Sequence, residues 1–126
     1  MSGQTQKNMQ VLKHFFDAIN SGEYEKIMKV MKEFYTEEYI LHDPTLPNGT
    51  QGLKEWLADF DSWWESNSVV HAAIEDLIGM GDKTAARVIL EYVEKKTQQK
   101  KKIVYIFFSR YKNGRIAEEW QVSSPG

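Results

Sequence analysis

Chemistry in this chain centres on one short segment, His42-Asp43-Pro44. A histidine titrates near neutrality and can polarise a carbonyl or relay a proton. An aspartate withdrawn from water becomes a stronger base as its pKa climbs toward working pH. Asp before Pro also commonly folds back to accept hydrogen bonds from nearby backbone N–H groups, so a plain turn is the competing reading of Asp43. Alternation along an extended segment sends His42 and Asp43 to opposite sides, so the two are not expected to act as a dyad.

The elements that position this segment follow from periodicity. Val11, Leu12, Phe15, Phe16 and Ile19 form the stripe of an amphipathic helix from Lys7 to Ser21, ended by Asn20-Ser21-Gly22. A second helix carries Tyr24, Ile27, Met28, Met31 and Phe34 on one side and pairs with the first through a tight turn. Residues 42–52 hold two prolines and two glycines and form the long internal loop. A third helix, from Leu53 to about Glu65, has Trp56, Phe60, Trp63 and Trp64 on its apolar face, readable as core or as the aromatic wall of a pocket.

From Val69 onward the period becomes strand-like, with strands expected near 69–78, 83–94, 101–112 and 115–123. Asn113-Gly114 suits a type I′ hairpin between the last two. In the third of these strands both faces are apolar: Tyr105 and Phe107 share one and are expected to line a pocket, while Val104, Ile106 and Phe108 share the other. Helices can cover the first, leaving the second for a partner, so a homodimer through the outer sheet face is expected. Arg87 could pair with Glu91 or hold an acidic group of a ligand. His14 and His71 have no partners at metal-ligand spacing, and no metal or cofactor is expected.

The bulk numbers fit this reading. The 126 residues suffice for one domain, with 1–6 and 123–126 expected to fray. A net charge of −2 gives no basic field for nucleic acid, and Lys95, Lys96, Lys100, Lys101 and Lys102 read as a solvated hairpin tip. The absence of cysteine excludes disulfides, thiolate metal sites and a Cys nucleophile. With no signal-like leader and no apolar run that could span a bilayer, a cytoplasmic protein is expected.

In order and spacing, Asn20-Ser21-Gly22-Glu23, His42-Asp43-Pro44 with Gly49 and Gly52, Gly81-Asp82 before the strand bearing Arg87, and Gly114-Arg115-Ile116-Ala117-Glu118 resemble the SnoaL-like polyketide cyclases. More distantly they resemble the ketosteroid isomerases, within the nuclear-transport-factor-2-like superfamily. The resemblance covers nearly the whole chain. It implies an α+β cone, three N-terminal helices on a curved, mainly antiparallel sheet, enclosing a mostly apolar cavity for a small carbonyl-bearing molecule. It places Asp43 where the isomerases carry their proton-shuttling aspartate, and His42 where many SnoaL-like members carry a histidine.

Departures from the pattern are as informative. Where the isomerases supply a tyrosine hydroxyl and a protonated aspartic acid to the developing oxyanion, this chain reads Phe15 and Phe107. Where the cyclases commonly show His-Trp-Asp, it reads Glu119-Trp120-Gln121; glutamine can bind a substrate but cannot exchange a proton. Glu119 lies two residues from Gln121, on the same strand face, and is either a replacement carboxylate or a solvated rim residue. Three readings stay open: a cofactor-independent cyclase or isomerase, a binding protein that kept the cavity without the chemistry, and an interaction module using the outer sheet face.

Overall fold

A computed structural model describes residues 2–126. Helix α1 spans Gly3–Ser21 and α2 spans Tyr24–Phe34. Strand β1 (Tyr35–His42) follows directly, then β2 (Thr50–Gly52) and helix α3 (Leu53–Ser66). Four long strands close the chain: β3 (Asn67–Met80), β4 (Lys83–Glu94), β5 (Lys100–Lys112) and β6 (Arg115–Pro125). They form one sheet in the order β2-β1-β6-β5-β4-β3, antiparallel throughout except where β1 runs parallel to β6. This is the expected α+β cone, with the helices on one face.

The ends are better anchored than composition implied. Ser2 caps α1 by accepting from the Thr5 N–H, and the Thr5 hydroxyl donates to the Gly81 carbonyl, so the helix starts four residues before Lys7. Thr5 and Asn8 are buried. At the other end β6 runs to Pro125 in register with β5, where a frayed tail was expected; Met1 lies outside the described residues. Gly22 closes α1 in the left-handed conformation at φ 72°, its N–H reaching the Ile19 carbonyl. Asn20 then pins the helix to β3, donating to the Ala72 carbonyl and accepting from the Ala72 N–H.

Strands β1 and β2 are the elements that periodicity does not disclose; β2 falls within residues 42–52, expected as loop, and pairs with the end of β1. In β1, Glu37 and Glu38 break the alternation, and its pairing with β6 shifts register between Tyr35 and Ile40. Its inward side chains, Tyr35, Tyr39 and Leu41, are nonetheless buried. Arg115, at the start of β6, fixes the α2–β1 corner by donating to the carbonyls of Lys32, Glu33 and Tyr35. The β5–β6 turn has the expected form, with Asn113 and Gly114 both at positive φ.

The core lies between α1, α2 and the sheet, around Leu12, Ile27, Met31, Val88 and Ile116. Helix α3 differs: no residue of it is fully buried, although its stripe carries three tryptophans. It stands off the sheet and leaves a space between. No helix among the described residues is long and apolar enough to cross a membrane.

Candidate active site

The space under α3 is a cavity of about 300 Å³, at the lower end of the range for small-molecule sites. Leu12, Phe15 and Phe16 of α1 form one wall and Trp56, Phe60 and Trp63 of α3 another. Tyr105 and Phe107 of β5 and Val88 of β4 form the sheet side. The aromatic stripe of α3 is therefore cavity wall at Trp56, Phe60 and Trp63, whereas Trp64 packs against Phe60 and Tyr24. Tyr105 and Phe107 face inward as their shared strand face requires.

Besides Gln51 and Asp59, three polar side chains enter this apolar space from neighbouring strands: Asp43, just past the end of β1, and Glu119 and Gln121, on the inward face of β6. Asp43 closes β1 and opens the turn to Gly49, its N–H donating to the Gly49 carbonyl at 3.0 Å. Its Oδ1 accepts from the Thr45 N–H (2.9 Å) and the Thr45 hydroxyl (2.8 Å), and its Oδ2 accepts from Gln121 Nε2 (3.0 Å). Burial pushes its pKa up, but the donors of Thr45 and Gln121 together outweigh that and hold it below the usual carboxylate value. This corrects the expected rise. Asp43 is both a turn residue and a cavity residue, and it stays ionised.

Glu119 behaves in the opposite way. It is 6% exposed, in place of the solvated rim position that its residue type favours. Register explains how it is accommodated: Glu119 lies opposite Ser109 on β5 and Leu41 on β1. The neighbouring strands each supply a donor, the Ser109 hydroxyl to Oε2 at 2.5 Å and the Tyr39 hydroxyl to Oε1 at 2.8 Å. Burial dominates these bonds and pushes the Glu119 pKa up to about 7. Burial, reinforced by Glu119, also raises Tyr39, which keeps its proton and remains a donor.

Two expected site residues lie elsewhere. His42 points to the outer face, as alternation with Asp43 demands, with Nε2 2.6 Å from Glu118 Oε2 and its ring stacked on Trp120 at 5.2 Å. Hydrogen bonds from His42 and Arg110 hold the Glu118 pKa down against the effect of burial. Arg87 is also outside, because Val88 takes the inward position on β4. A register shift between Ile74 and Asp76 sets Asp76 opposite Arg87, and the two pair at 2.8 Å. Neither the expected Glu91 contact nor a ligand contact in the cavity is available to Arg87.

Sequence reasoning missed Tyr39, Ser109, Gln51 and Asp59. Tyr39 and Ser109 reach Glu119 only through strand pairing, which leaves no local signal. Asp59, three residues after Trp56 and four before Trp63, sits at the edge of the aromatic stripe, and that spacing was available to read. It accepts from Gln51 Nε2 at 2.6 Å at the mouth of the cavity. Among the described residues no three His, Asp or Glu side chains are placed to share a metal ion.

Comparison with known proteins agrees with this architecture. The family model described as a SnoaL-like domain matches residues 12–119. IdmH, a candidate polyketide cyclase from Streptomyces antibioticus, superposes with a TM-score of 0.77 at 18% identity, covering 93% of this chain and 91% of its own. A candidate SnoaL-like polyketide cyclase from Jannaschia sp. CCS1 gives 0.81 at 12% identity, with 98% and 90% covered. A candidate isomerase from Bacillus subtilis gives 0.79 at 15% identity, again with 98% and 90% covered. At these identities the likeness is one of fold. No curated protein matches the sequence.

Proposed function

The chain belongs to the SnoaL-like domain family, and from that premise we propose that it is a cofactor-independent acid–base catalyst acting in its cavity on an apolar, carbonyl-bearing small molecule. One observation supports this most: the cavity contains two carboxyl groups whose surroundings push their pKa values apart, Asp43 down and Glu119 up to about 7. Such a pair divides into a base and an acid at neutral pH. Ionised Asp43 takes a proton from the carbon next to the carbonyl. The C–H electron pair forms the new C=C bond, and the carbonyl oxygen takes the proton of neutral Glu119. Return of a proton from Asp43 to carbon, and from the enol to Glu119, restores the enzyme. Gln121 orients Asp43, Tyr39 and Ser109 orient Glu119, and Trp56, Tyr105 and Phe107 hold the apolar body.

A simple enolisable ketone tests this without knowledge of the natural substrate. Exchange of the ring α-protons of 2-tetralone in D2O, followed by NMR, should run above the buffer rate. It should fall by roughly 100-fold or more in Asp43→Asn and Glu119→Gln, the scale of a positioned acid or base. Exchange that is unchanged in both variants contradicts the proposal. A second reading, a binding protein without proton chemistry, is favoured by Phe15 and Phe107, which replace the isomerases' oxyanion donors. Tetralone binding with no exchange would decide for it.

The outer sheet face belongs to the same proposal. Ile106 (47% exposed), Phe108 (53%) and Val122 (53%) lie together there beside Trp120. Contiguous apolar surface of this kind is suited to a second copy of the chain, giving a homodimer whose cavities face away from the interface. A cytoplasmic setting suits a chain without cysteine.

A further inference from the structure

The charge of the cavity lining points to the class of ligand more narrowly than its shape does. Three carboxyl groups line it: Asp43 within, Glu119 on the sheet side and Asp59 at the mouth. No lysine, arginine or histidine is among the described residues that line it. The chain's sixteen Lys and Arg lie outside this lining, and His42 and Arg87, the basic side chains that sequence placed nearest, are on the outer face. A ligand with a carboxylate or phosphate would therefore surrender its hydration without gaining a counter-charge, and would face ionised Asp43.

The walls reinforce this. Trp56 and Phe60 stack in series at 6.1 Å along α3, and the Phe15 and Tyr35 rings lie 6.4 and 5.1 Å from Trp56. Aromatic faces carry negative potential and attract organic cations, most strongly where water is excluded. The exposed Asp59 carboxylate, joined to Gln51 at the entrance, adds the same sign of field along the path inward.

We infer that the substrate is a flat organic molecule bearing a protonated amine and no anionic group, its rings between the α1 and α3 aromatics and its ammonium directed to Asp59 at the mouth. This deepens the proposed function and rests on the cavity being the ligand site. A ketone that meets Glu119 and Asp43 would carry its amine on the side facing the mouth.

Three naphthalene probes that differ mainly in charge test it by calorimetry on the intact chain at pH 7: 2-naphthylmethylammonium, 2-naphthylmethanol and 2-naphthoate. The ammonium should bind about tenfold more tightly than the alcohol, the scale of a shielded cation–π contact, and the carboxylate more weakly than either. Asp59→Asn, a change at an exposed position, should narrow the ammonium-to-alcohol ratio by roughly threefold. If the alcohol binds and the ammonium gains nothing, or the carboxylate matches it, this inference falls while the cavity reading stands. If none of the three binds, the cavity is not a ligand site and the proposed function falls with it.

Discussion

The side-chain amide of Gln121 donates to the carboxylate of Asp43 across 3.0 Å, tying the inward face of β6 to the turn that leaves β1. With the N–H and hydroxyl of Thr45, which contribute more, this non-titrating donor keeps Asp43 an anion in a place where burial alone would favour its neutral form. The next inward-facing position along β6, Glu119, has the opposite tendency, its pKa pushed up to about 7 by burial. In the proposed reaction these two residues of one strand have different tasks: Gln121 holds the charge of the base in place, and Glu119 supplies the acid.

Replacing Gln121 by Leu removes that donor and keeps the bulk. Asp43 would then be buried with only Thr45 to satisfy it, at a cost of about 1–3 kcal/mol. Urea unfolding at pH 7 measures the loss, and part of it should disappear at a pH low enough to protonate Asp43. Equal stability of the variant and the parent chain would mean that the bond contributes nothing.

Glu119 predicts an unusual pH dependence of stability. Its folded value of about 7 lies above its ordinary value of 4.5, so the folded chain holds a proton that the unfolded chain has released between those limits. Its contribution is complete below pH 4.5, declines as pH rises, and is gone above about 7, a loss on the order of 3 kcal/mol. Glu119→Gln should flatten that decline, because the hydroxyls of Ser109 and Tyr39 can still pair with an amide. Unfolding free energies of the two chains from pH 4 to 8 should diverge with pH; parallel curves would place Glu119 in the ordinary carboxyl range.

The sheet exterior makes a separate prediction. Ile106→Glu introduces a charge among Phe108, Trp120 and Val122, at a position whose side chain faces away from the cavity. In sedimentation velocity at micromolar concentration the parent chain should run as a dimer and the variant as a monomer, with tetralone binding retained. A parent chain that is monomeric removes the dimer from the account.

Much of this fold is legible in the sequence because its signals are local. Periodicity locates the three helices and the four long strands, and Asn113-Gly114 marks the final hairpin. Strand β1 escapes because Glu37 and Glu38 interrupt its alternation and its partner is distant: Tyr39 and Glu119 are 80 positions apart. The same distance hides the site. Asp43 could be singled out from its own neighbours, and Thr45, which contributes most to lowering its pKa, is two residues away, but Gln121 reaches it only through the fold, and the burial of Glu119 depends on donors from two other strands. Arg87 shows the converse limit, since a single register shift beside Asp76 decides which partner it meets.

The proposed catalysis requires two carboxyl groups of one cavity in different protonation states, and site-resolved carboxyl 13C NMR across a pH titration reads both directly. The Glu119 signal should move with a midpoint near 7 and the Asp43 signal with a midpoint below the ordinary 3.8. Glu119 titrating with the exposed glutamates, or Asp43 retaining its proton to neutral pH, would contradict the division into acid and base.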